Sequence, residues 1–355
     1  MKIVHVVDSM EVGGAETLVE QLCLRQRELG HTPSVLAIAT LGKIGARMID
    51  QGFSVQANVG RHLFDSARGF HRIFKELRPE VVHLHNPTPT IYATLPAKLA
   101  GATSIVSTRH SLVAPPRRRA EEIKYAIAAL FCNWIVGVCD ATVTNLRSMH
   151  SIRPQKILRV YNGVAPLRRV PLPQCPPKDG FTLVYVGRLE PVKNHALLFD
   201  AFRIAQSSMQ DLRLWMVGDG SQRKTLENLA AELGIAKRVT FWGQQADVAP
   251  FFSSADAFVM SSRSEGLPAS LLQGFSLGVP AIVTNVGGMA EVVQRAEAGL
   301  IVSTPEPIAM SAAIQQLAED TEGRRRFSNN AEIAFDRHFS LERMLNEYMV
   351  LYRQA

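Results

Sequence analysis

The chain has 355 residues, enough for two domains. Hydrophobic residues make up 46% of it and charged residues 20%, a globular composition that excludes a disordered or fibrous protein. The net charge is +7, and the window from Arg109 to Arg169 carries the whole excess, with eleven Lys and Arg residues against three Asp and Glu residues. Such a window suits an anionic membrane surface or a phosphorylated ligand, and a solvated basic face is the alternative; we expect no nucleic-acid partner.

The cysteines and the N-terminus indicate a cytoplasmic protein. The four cysteines are scattered without a C-x-x-C pair, which favours reduced thiols. The first eight residues become polar too quickly for a signal peptide. The longest apolar stretch, Tyr125 to Cys139, contains Asn133 and is shorter than the roughly 20 residues of a membrane span. We therefore expect a cytoplasmic chain that can attach peripherally to the inner face of the cytoplasmic membrane through its basic window.

Short apolar runs alternate with longer amphipathic segments in the first half of the chain. This alternation is typical of a parallel sheet that is covered by helices on both faces. The predicted strands are Ile3–Val7, Val35–Ala39, Glu80–Leu84, Ser104–Thr108, Trp134–Val138 and Ile157–Tyr161. The predicted helices are 14–29, Phe70–Leu77 and Ile91–Leu99.

A proline-rich break from Pro166 to Gly180 is typical of an interdomain linker, and the alternation restarts after it. We expect an α/β fold of two Rossmann-like, doubly wound domains facing across a cleft, with boundaries at 1–168, 169–180 for the linker, and 181–339. The predicted strands here are Phe181–Val186, Leu212–Val217, Val239–Trp242, Ala257–Met260, Ala281–Thr284 and Gly299–Val302. The predicted helices are His195–Gln206, Gln222–Leu233, Val248–Phe252, Pro307–Glu319, Gly323–His338 and Leu341–Tyr352.

Loops at the ends of two predicted strands carry candidate site residues. Glu265 follows the strand Ala257–Met260, and Arg188 and Lys193 follow the strand Phe181–Val186. Ligands of open α/β sheets bind beyond the carboxyl ends of the strands, so these loops predict a site for a polar ligand. Two cations beside a helix N-terminus can bind an anion such as a diphosphate, and two unrelated surface cations are the alternative.

Histidines follow or occupy two strands of the first half. His110 lies two residues beyond the strand Ser104–Thr108, where it can reach a ligand, and a structural role is the alternative for a single histidine. His83 and His85 are two residues apart on one strand and therefore point to the same face. A metal would need a third ligand, and the sequence shows none, so we expect no metal and no cofactor.

Short glycine-bearing motifs recur in the loops along the whole chain. They are Gly13-Gly14, Tyr161-Asn162-Gly163-Val164, Gly187-Arg188-Leu189 with Lys193-Asn194, Gly218-Asp219-Gly220, Gly243, Glu265-Gly266-Leu267-Pro268, Gly278-Val279-Pro280 and Gly287-Gly288. Each glycine turn alone is common, but their order and spacing are specific. Taken together, they resemble glycosyltransferase family 4, a family of retaining enzymes with the GT-B fold, and the resemblance runs nearly end to end.

The resemblance implies roles for the residues of the second half. Arg188 and Lys193 would hold the diphosphate of the donor. Glu265 would accept hydrogen bonds from hydroxyl groups of the donor sugar, with the amides of Gly266 and Leu267 nearby. The absence of an Asp-x-Asp motif agrees with a family that is usually independent of metal.

The resemblance also implies roles elsewhere. His110 would contact the donor sugar near its reacting carbon. Gly13 and Gly14 would let the backbone approach the phosphates, and the turns at Gly218 and Gly243 would line the donor site; a tight turn is the alternative for each glycine. The last helix, 340–355, would pack back on the first domain.

One position departs from the family pattern, in which a second Glu follows the first after seven residues. That position is Gln273, and the family's Glu would accept hydrogen bonds from the ribose of the nucleotide. Gln keeps one acceptor oxygen and loses the charge. Because hydrogen bonds to charged groups contribute ~1.5–3 kcal/mol against ~0.5–1.5 for neutral ones, the change is expected to weaken donor binding roughly tenfold.

The resemblance implies a retaining glycosyltransferase. It would move a sugar from a nucleotide-diphosphate sugar, with a UDP-sugar as the first expectation, to a saccharide or polyprenyl-linked acceptor in cell-surface polysaccharide or glycolipid synthesis. A nucleotide-sugar epimerase with the GT-B fold and a non-catalytic nucleotide-sugar binder are the alternatives, the second because of Gln273. A nicotinamide dehydrogenase is disfavoured because the first turn lacks G-x-G-x-x-G.

Overall fold

A computed structural model of the chain describes residues 1–58, 63–112, 119–149 and 152–354. The chain forms two compact units, the first from residues 1–164 together with the last helix from Leu341, and the second from Ala165 to Ser340. Each unit contains one wholly parallel sheet with helices, so the expected α/β fold of two Rossmann-like, doubly wound domains is confirmed. The residues 165–180, which include the segment predicted as a linker, belong to the second unit.

The first unit has a seven-stranded sheet with the order β3-β2-β1-β4-β5-β6-β7. Its strands are β1 (Lys2–Val7), β2 (Thr32–Ala37), β3 (Ser54–Gln56), β4 (Val81–His85), β5 (Ser104–Arg109), β6 (Trp134–Gly137) and β7 (Ile157–Arg159). Its first helices are α1 (Gly14–Glu28), α2 (Gly42–Asp50), α3 (Leu63–Leu77), α4 (Pro87–Leu99), α5 (Arg119–Ala129) and α6 (Asp140–Arg147). The short elements α2, β3 and α6 were not predicted from the sequence.

The second unit has a six-stranded sheet with the order β10-β9-β8-β11-β12-β13. Its strands are β8 (Thr182–Val186), β9 (Arg213–Val217), β10 (Val239–Gly243), β11 (Ala257–Met260), β12 (Ala281–Thr284) and β13 (Gly299–Val302). Its helices are α7 (His195–Gln206), α8 (Arg223–Glu232), α9 (Ala249–Ser254), α10 (Ala269–Phe275), α11 (Gly287–Ala296), α12 (Pro307–Glu319) and α13 (Thr321–Ala334).

The last helix, α14 (Leu341–Arg353), belongs to the first unit, where it packs against α1 and β5. Its Tyr348 and Tyr352 are buried there. A π-helical turn, Phe335–Phe339, separates α13 from it, so the helix predicted to run to His338 ends at Ala334 instead. None of the helices in the described ranges combines the length and the apolarity that crossing a membrane requires.

Central strands of both sheets are buried on both faces, as a sheet covered by helices requires. In each sheet the strand order reverses once, between β1 and β4 and between β8 and β11. At such a point the chain leaves neighbouring strands in opposite directions, and a crevice opens beyond their carboxyl ends. The fold therefore predicts one ligand-binding crevice in each unit.

An ion pair connects β5 to α5 in the first unit. The Arg109 side chain is 1% exposed, and its Nη2 lies 2.9 Å from Oε1 of Glu122, which is 20% exposed. A second bond joins Nη1 to the other carboxylate oxygen at 3.2 Å. The guanidinium also lies 5.0 Å from the ring centre of Tyr125. This pairing neutralises a charge that the sheet would otherwise bury alone.

We expect Glu122→Ala to lower the free energy of unfolding by about 2–4 kcal/mol, because it leaves the Arg109 charge buried without a partner. The double variant Arg109→Met/Glu122→Leu removes both charges and should stay within about 1–2 kcal/mol of the wild type. Urea denaturation measures both values, and hydrogen exchange in β5 and α5 locates the change. A double variant as unstable as Glu122→Ala would contradict this explanation.

Candidate active site

Two loops lie side by side at the point where the strand order of the second sheet reverses. The loop 187–194 follows β8, and the loop 261–268 follows β11. The amide of Arg263 donates to the carbonyl of Val192 at 2.9 Å. The hydroxyl of Ser261 lies 3.0 Å from each of the carbonyl oxygens of Lys193 and Asn194. These contacts fix the position of one loop against the other.

The side chains of Lys193 and Glu265 form an ion pair across the two loops. They are 14% and 13% exposed, so the pair is partly shielded from water but open to a ligand. The hydroxyl of Ser262 donates to Oε1 of Glu265 at 2.8 Å, the same oxygen that Lys193 contacts. The other oxygen, Oε2, can accept hydrogen bonds from a ligand.

The loop after β12 packs against the backbone of Glu265 and Gly266. Gly287 has a φ angle of +53°, and a Cβ atom at this position would lie 2.0 Å from the carbonyl oxygen of Glu265. The amide of Gly288 donates to the carbonyl of Gly266 at 2.7 Å. Glycine at 287 is therefore required by both its backbone conformation and the close approach of the Glu265 loop.

Arg188 stands beside this pair on the β8 loop. Its side chain is exposed and forms no salt bridge with any residue in the described ranges. The hydroxyl of Tyr185 donates to the Arg188 carbonyl at 2.8 Å and holds the turn. Gly218 packs against the same turn, where a Cβ atom would lie 1.9 Å from the Gly187 carbonyl oxygen. The β8 loop thus carries one paired cation, Lys193, and one cation, Arg188, that has no salt bridge among the described residues.

A buried histidine lies at the start of α7, directly after Lys193 and Asn194. Burial, with a smaller contribution from the charge of Lys193, lowers the pKa of His195 to about 4. The ring is therefore neutral near pH 7, and it packs edge-on against Tyr185 at 4.7 Å between ring centres. His195 adds no charge to the site, and Arg188 and Lys193 provide its positive charge.

The remaining predicted donor-binding residues of this unit surround the two loops. Leu267 is buried, and Gln273 lies half-buried on α10, the helix that the Glu265 loop leads into. The carbonyl of Gly243 accepts a hydrogen bond from the amide of Gly218 at 2.8 Å. The structure thus brings Lys193 and Glu265 into direct contact and places Gly218 on the Arg188 turn.

The strand ends at the reversal point of the first sheet carry polar residues that sequence reasoning missed. Asp8 follows β1, and burial raises the pKa of its carboxyl group, against the opposing effect of hydrogen bonds from Thr88 and Asn86. Asn86 has a φ angle of +75°, and its Oδ1 accepts a bond from the His110 amide at 3.2 Å. The sequence did contain a signal for a turn at Asn86, because an Asn-Pro dipeptide after a strand marks a turn.

The predicted glycine turn of the first unit lies near these residues in sequence. Gly13 caps α1, and Gly14 is its first residue. A Cβ atom on Gly14 would have no other atom within 4 Å, so the backbone there is open to a ligand.

His110 is the end of a cluster of four histidines in the first unit. Nε2 of His110 lies 3.0 Å from Nδ1 of His85, and Nε2 of His85 lies 3.0 Å from Nδ1 of His5. His83 lies beside them, with its Nδ1 at 2.7 Å from the Tyr352 hydroxyl. Burial lowers the pKa of His5 and of His110 to about 4, and it lowers the pKa of His83 and of His85 well below the usual value. All four rings are therefore neutral near pH 7.

The sequence showed no third ligand near His83 and His85, and the structure supplies one. His5 is the neighbour of His83 in the pairing of β1 with β4. One ring nitrogen from each of the three lies within 4.8 Å of the others, a spacing that can hold a metal ion. Sequence reasoning missed this contact because the pairing of β1 with β4 joins residues that are far apart along the chain.

Comparison with known families matches both halves of the chain. Residues 174–333 match the family described as "Glycosyl transferases group 1", and residues 12–168 match "Glycosyltransferase Family 4". The two matches together span most of the chain.

Curated relatives include three bacterial glycosyltransferases. The lipopolysaccharide core biosynthesis glycosyltransferase LpsD of Rhizobium meliloti is 32% identical over 50% of this chain, and the match covers only 50% of its own length. The putative glycosyltransferase EpsD of Bacillus subtilis is 26% identical over 89% of this chain and 88% of its own. The UDP-Gal:alpha-D-GlcNAc-diphosphoundecaprenol alpha-1,3-galactosyltransferase of Escherichia coli is 24% identical over 70% of this chain and 69% of its own.

Solved structures share the fold over nearly the whole chain. Anabaena Alr3699/HepE in complex with UDP has a TM-score of 0.86 at 19% identity and covers 100% of both chains. A glycosyltransferase from Rickettsia africae has a TM-score of 0.85 at 20% identity and covers 99% of this chain and 98% of its own. At these identities the likeness establishes the fold, which is GT-B.

We expect Gly287→Ala to destabilise the second unit more than a matched control in the same unit. Gly234 also has a positive φ angle, +71°, but a Cβ atom there would have no neighbour within 4 Å. Gly234→Ala should therefore cost only the backbone strain of about 1–2 kcal/mol, whereas Gly287→Ala should cost at least about 2 kcal/mol more because the Glu265 loop must move. Urea denaturation of both variants measures the difference, and equal losses would contradict the close approach at Gly287.

Proposed function

Because the chain belongs to glycosyltransferase family 4, we propose that it is a retaining glycosyltransferase whose donor is a nucleotide-diphosphate sugar. The observation that carries this proposal is the contact between Lys193 and Glu265 beside Arg188, at the reversal point of the second sheet. Two cations and one carboxylate are what a ligand needs when it carries a diphosphate at one end and hydroxyl groups at the other.

In this proposal Arg188 and Lys193 bind the diphosphate. An ammonium group has three donors, and Glu265 engages one of them, so Lys193 can donate the others to phosphate oxygens. Oε2 of Glu265 accepts hydrogen bonds from sugar hydroxyl groups, with the amides of Gly266 and Leu267 nearby. The pairing holds the Lys193 ammonium group in place before the donor arrives, which is the preorganisation that electrostatic catalysis requires.

The proposed reaction keeps the configuration of the sugar carbon. The acceptor hydroxyl attacks on the face that the diphosphate leaves, forming a new carbon–oxygen bond while the bond to the phosphate oxygen breaks. The departing phosphate oxygen takes the proton of the acceptor hydroxyl, so no enzyme base is needed. Negative charge grows on the diphosphate during this step, and Arg188 and Lys193 stabilise it. We assign no residue as a covalent nucleophile and no metal to the reaction.

The remaining residues take the roles that the resemblance implies. We assign His110 a contact to the donor sugar near its reacting carbon. Gly13 and Gly14 allow the backbone to approach the phosphates, and Gln273 contacts the ribose. The glycine turns at Gly218 and Gly243 line the donor site.

A UDP-sugar is the donor that we propose. HepE was solved with UDP and with UDP-glucose, and the Escherichia coli relative is named for UDP-Gal. That relative's acceptor is diphosphoundecaprenol-linked, and LpsD acts in lipopolysaccharide core synthesis. These names support a saccharide or polyprenyl-linked acceptor in cell-surface polysaccharide or glycolipid synthesis.

We expect Glu265→Gln to lower kcat/KM for the donor roughly 10- to 100-fold, because it removes a charged acceptor from the sugar and the partner of Lys193. The measurement is UDP release with an acceptor panel, after thermal shift has identified the donor among UDP-, GDP- and ADP-sugars. Glu232→Gln, an exposed change at the end of α8, is the matched control and should leave kcat/KM unchanged. If the wild type turns over none of these donors, the proposal fails.

Gln273→Glu adds a carboxylate to the proposed donor site, whereas Glu265→Gln removes one, and the same assay measures its effect. A restored charge near the ribose should tighten donor binding roughly tenfold. A tighter donor without turnover in either protein would favour the non-catalytic binder, and a changed sugar configuration without acceptor would favour the epimerase.

We further propose that the first unit attaches to an anionic membrane surface through α4 and α5, which pack against each other. Ile123 and Ile127 lie one turn apart on α5 and are 58% and 54% exposed. Exposed lysines on the same helices can contact anionic headgroups. The exposed apolar residues of this surface are Leu95, Leu99, Ile123, Ile127, Leu130 and Phe131, with Lys98 and Lys124. The densest basic run is Arg117-Arg118-Arg119, and its first two residues lie outside the described residues.

We expect the chain to sediment with vesicles of phosphatidylglycerol and phosphatidylcholine at low salt and to be released by high salt. Ile123→Ser/Ile127→Ser should weaken binding roughly tenfold, because less apolar surface leaves water. Ile308→Ser/Ile333→Ser, which changes two exposed isoleucines of the second unit, is the matched control. Absence of binding to anionic vesicles, or equal loss in both variants, would count against this surface.

A further inference from the structure

Three hydrogen bonds connect Gln26 to His110 through two buried rings of the first unit. Oε1 of Gln26, on α1, lies 2.9 Å from Nε2 of His5 in the middle of β1. Nδ1 of His5 lies 3.0 Å from Nε2 of His85, the last residue of β4. Nδ1 of His85 lies 3.0 Å from Nε2 of His110, which follows β5. The chain of bonds runs from the interior of the sheet to the edge where its strands end.

This chain of bonds has a direction because its rings are neutral. A neutral imidazole donates through one nitrogen and accepts through the other. The Gln26 oxygen accepts, so His5 must carry its proton on Nε2 and accept on Nδ1. The same reasoning places the proton of His85 on Nε2, and that of His110 on Nε2. The Gln26 side chain at the interior end therefore fixes the tautomer of all three rings.

The far end of this chain of hydrogen bonds is Nδ1 of His110, which is an acceptor. Nδ1 of His110 is buried and has no hydrogen-bond partner among the described residues. A buried polar atom left unpaired costs about 1–3 kcal/mol, so this nitrogen is suited to a ligand that donates to it. A hydroxyl group is such a donor, and sugars provide several.

We propose that Gln26, His5 and His85 are positioning residues that hold His110 in its Nε2-protonated form, so that Nδ1 accepts a hydrogen bond from a hydroxyl group of the donor sugar. The tautomer follows from the hydrogen bonds together with the neutral state of the rings, whereas the identity of the hydroxyl group rests on the proposed function. His110 then orients the sugar as an acceptor.

A metal held by His5, His83 and His85 is the competing explanation of the same cluster. The ring nitrogens of His5 and His85 are already engaged with each other or with Gln26 and His110. His83 is engaged as well, through Tyr352 at 2.7 Å and Thr108 at 2.7 Å. A metal would have to replace these bonds, so the hydrogen-bonded chain accounts for the geometry with fewer changes.

Nuclear magnetic resonance of histidine-labelled protein tests the tautomer directly. Ring nitrogen and carbon shifts distinguish the Nε2-protonated from the Nδ1-protonated form, and the signal of His110 is identified by its loss in His110→Gln. We expect the wild-type protein without ligand to show His110 in the Nε2-protonated form near pH 7. An Nδ1-protonated or charged His110 would overturn the proposal.

Two variants interrupt the chain of hydrogen bonds, and a third variant leaves these bonds intact. Gln26→Met keeps the shape but removes the acceptor, and His85→Phe removes the middle ring; both should give a mixture of His110 tautomers. Tyr348→Phe removes a buried hydroxyl that bonds Thr108 at 2.9 Å, outside the chain, and should leave the tautomer unchanged. Circular dichroism confirms the fold, and Gln26→Met still tests the chain if His85→Phe does not fold.

The kinetic readout addresses the sugar hydroxyl separately. Gln26→Met should lower kcat/KM for the donor roughly tenfold, which corresponds to a loss of about 1.4 kcal/mol, whereas Tyr348→Phe should change it less than about twofold. An unchanged tautomer in Gln26→Met, or zinc bound in equimolar amount to the purified chain, would overturn the proposal. A fixed tautomer in a protein that uses no nucleotide sugar would overturn only the assignment of the hydroxyl group.

Discussion

Both sheets are wholly parallel, and the strand order of each reverses once. Parallel strands bring all their carboxyl ends to one edge, and the reversal opens a crevice there. The ion pair of Lys193 and Glu265 depends on this arrangement, because 72 positions separate the two residues along the chain. Only the adjacency of β8 and β11 brings them together. The cluster of four histidines in the first unit depends on the same feature, since β1 and β4 are neighbours at the other reversal.

The loops at the reversal point of the second sheet contact one another through their backbones. Gly218 and Gly287 remove side chains where two loops approach within about 2 Å of an added Cβ atom. As a result, hydrogen bonds between main-chain groups hold the loops, and the side chains of Arg188, Lys193 and Glu265 are left for a ligand. A backbone that holds charged side chains in place suits the proposed binding of a phosphate and a sugar together, because the charges must be placed before the bond to the sugar weakens.

The sequence alone predicted most strands, because each central strand is a short apolar run between turn residues. It missed β3 (Ser54–Gln56), which lies at the sheet edge and is too short and polar to show a pattern. It also placed His83 and His85 on one face, from the alternation of a strand. It did not predict that His5 joins them or that Lys193 contacts Glu265. Both contacts follow from strand order, which apolar periodicity does not encode.

Filling the centre of a sheet with histidines costs more free energy than filling it with apolar residues. Its neighbours on β1 are Val4 and Val6, and apolar residues at the three histidine positions of β1 and β4 would bury their surface without any need for hydrogen bonds. Satisfying the rings takes Gln26, Thr108 and Tyr352 as well, so polar groups on α1, β5 and α14 are committed to them. Stability alone gives no reason for this choice. Among the described residues this network leaves two buried nitrogens without a partner, Nε2 of Gln26 at one end and Nδ1 of His110 at the other. Nδ1 of His110 is the one that follows a strand end, so the proposed orientation of His110 gives the polar core a reason that packing does not supply.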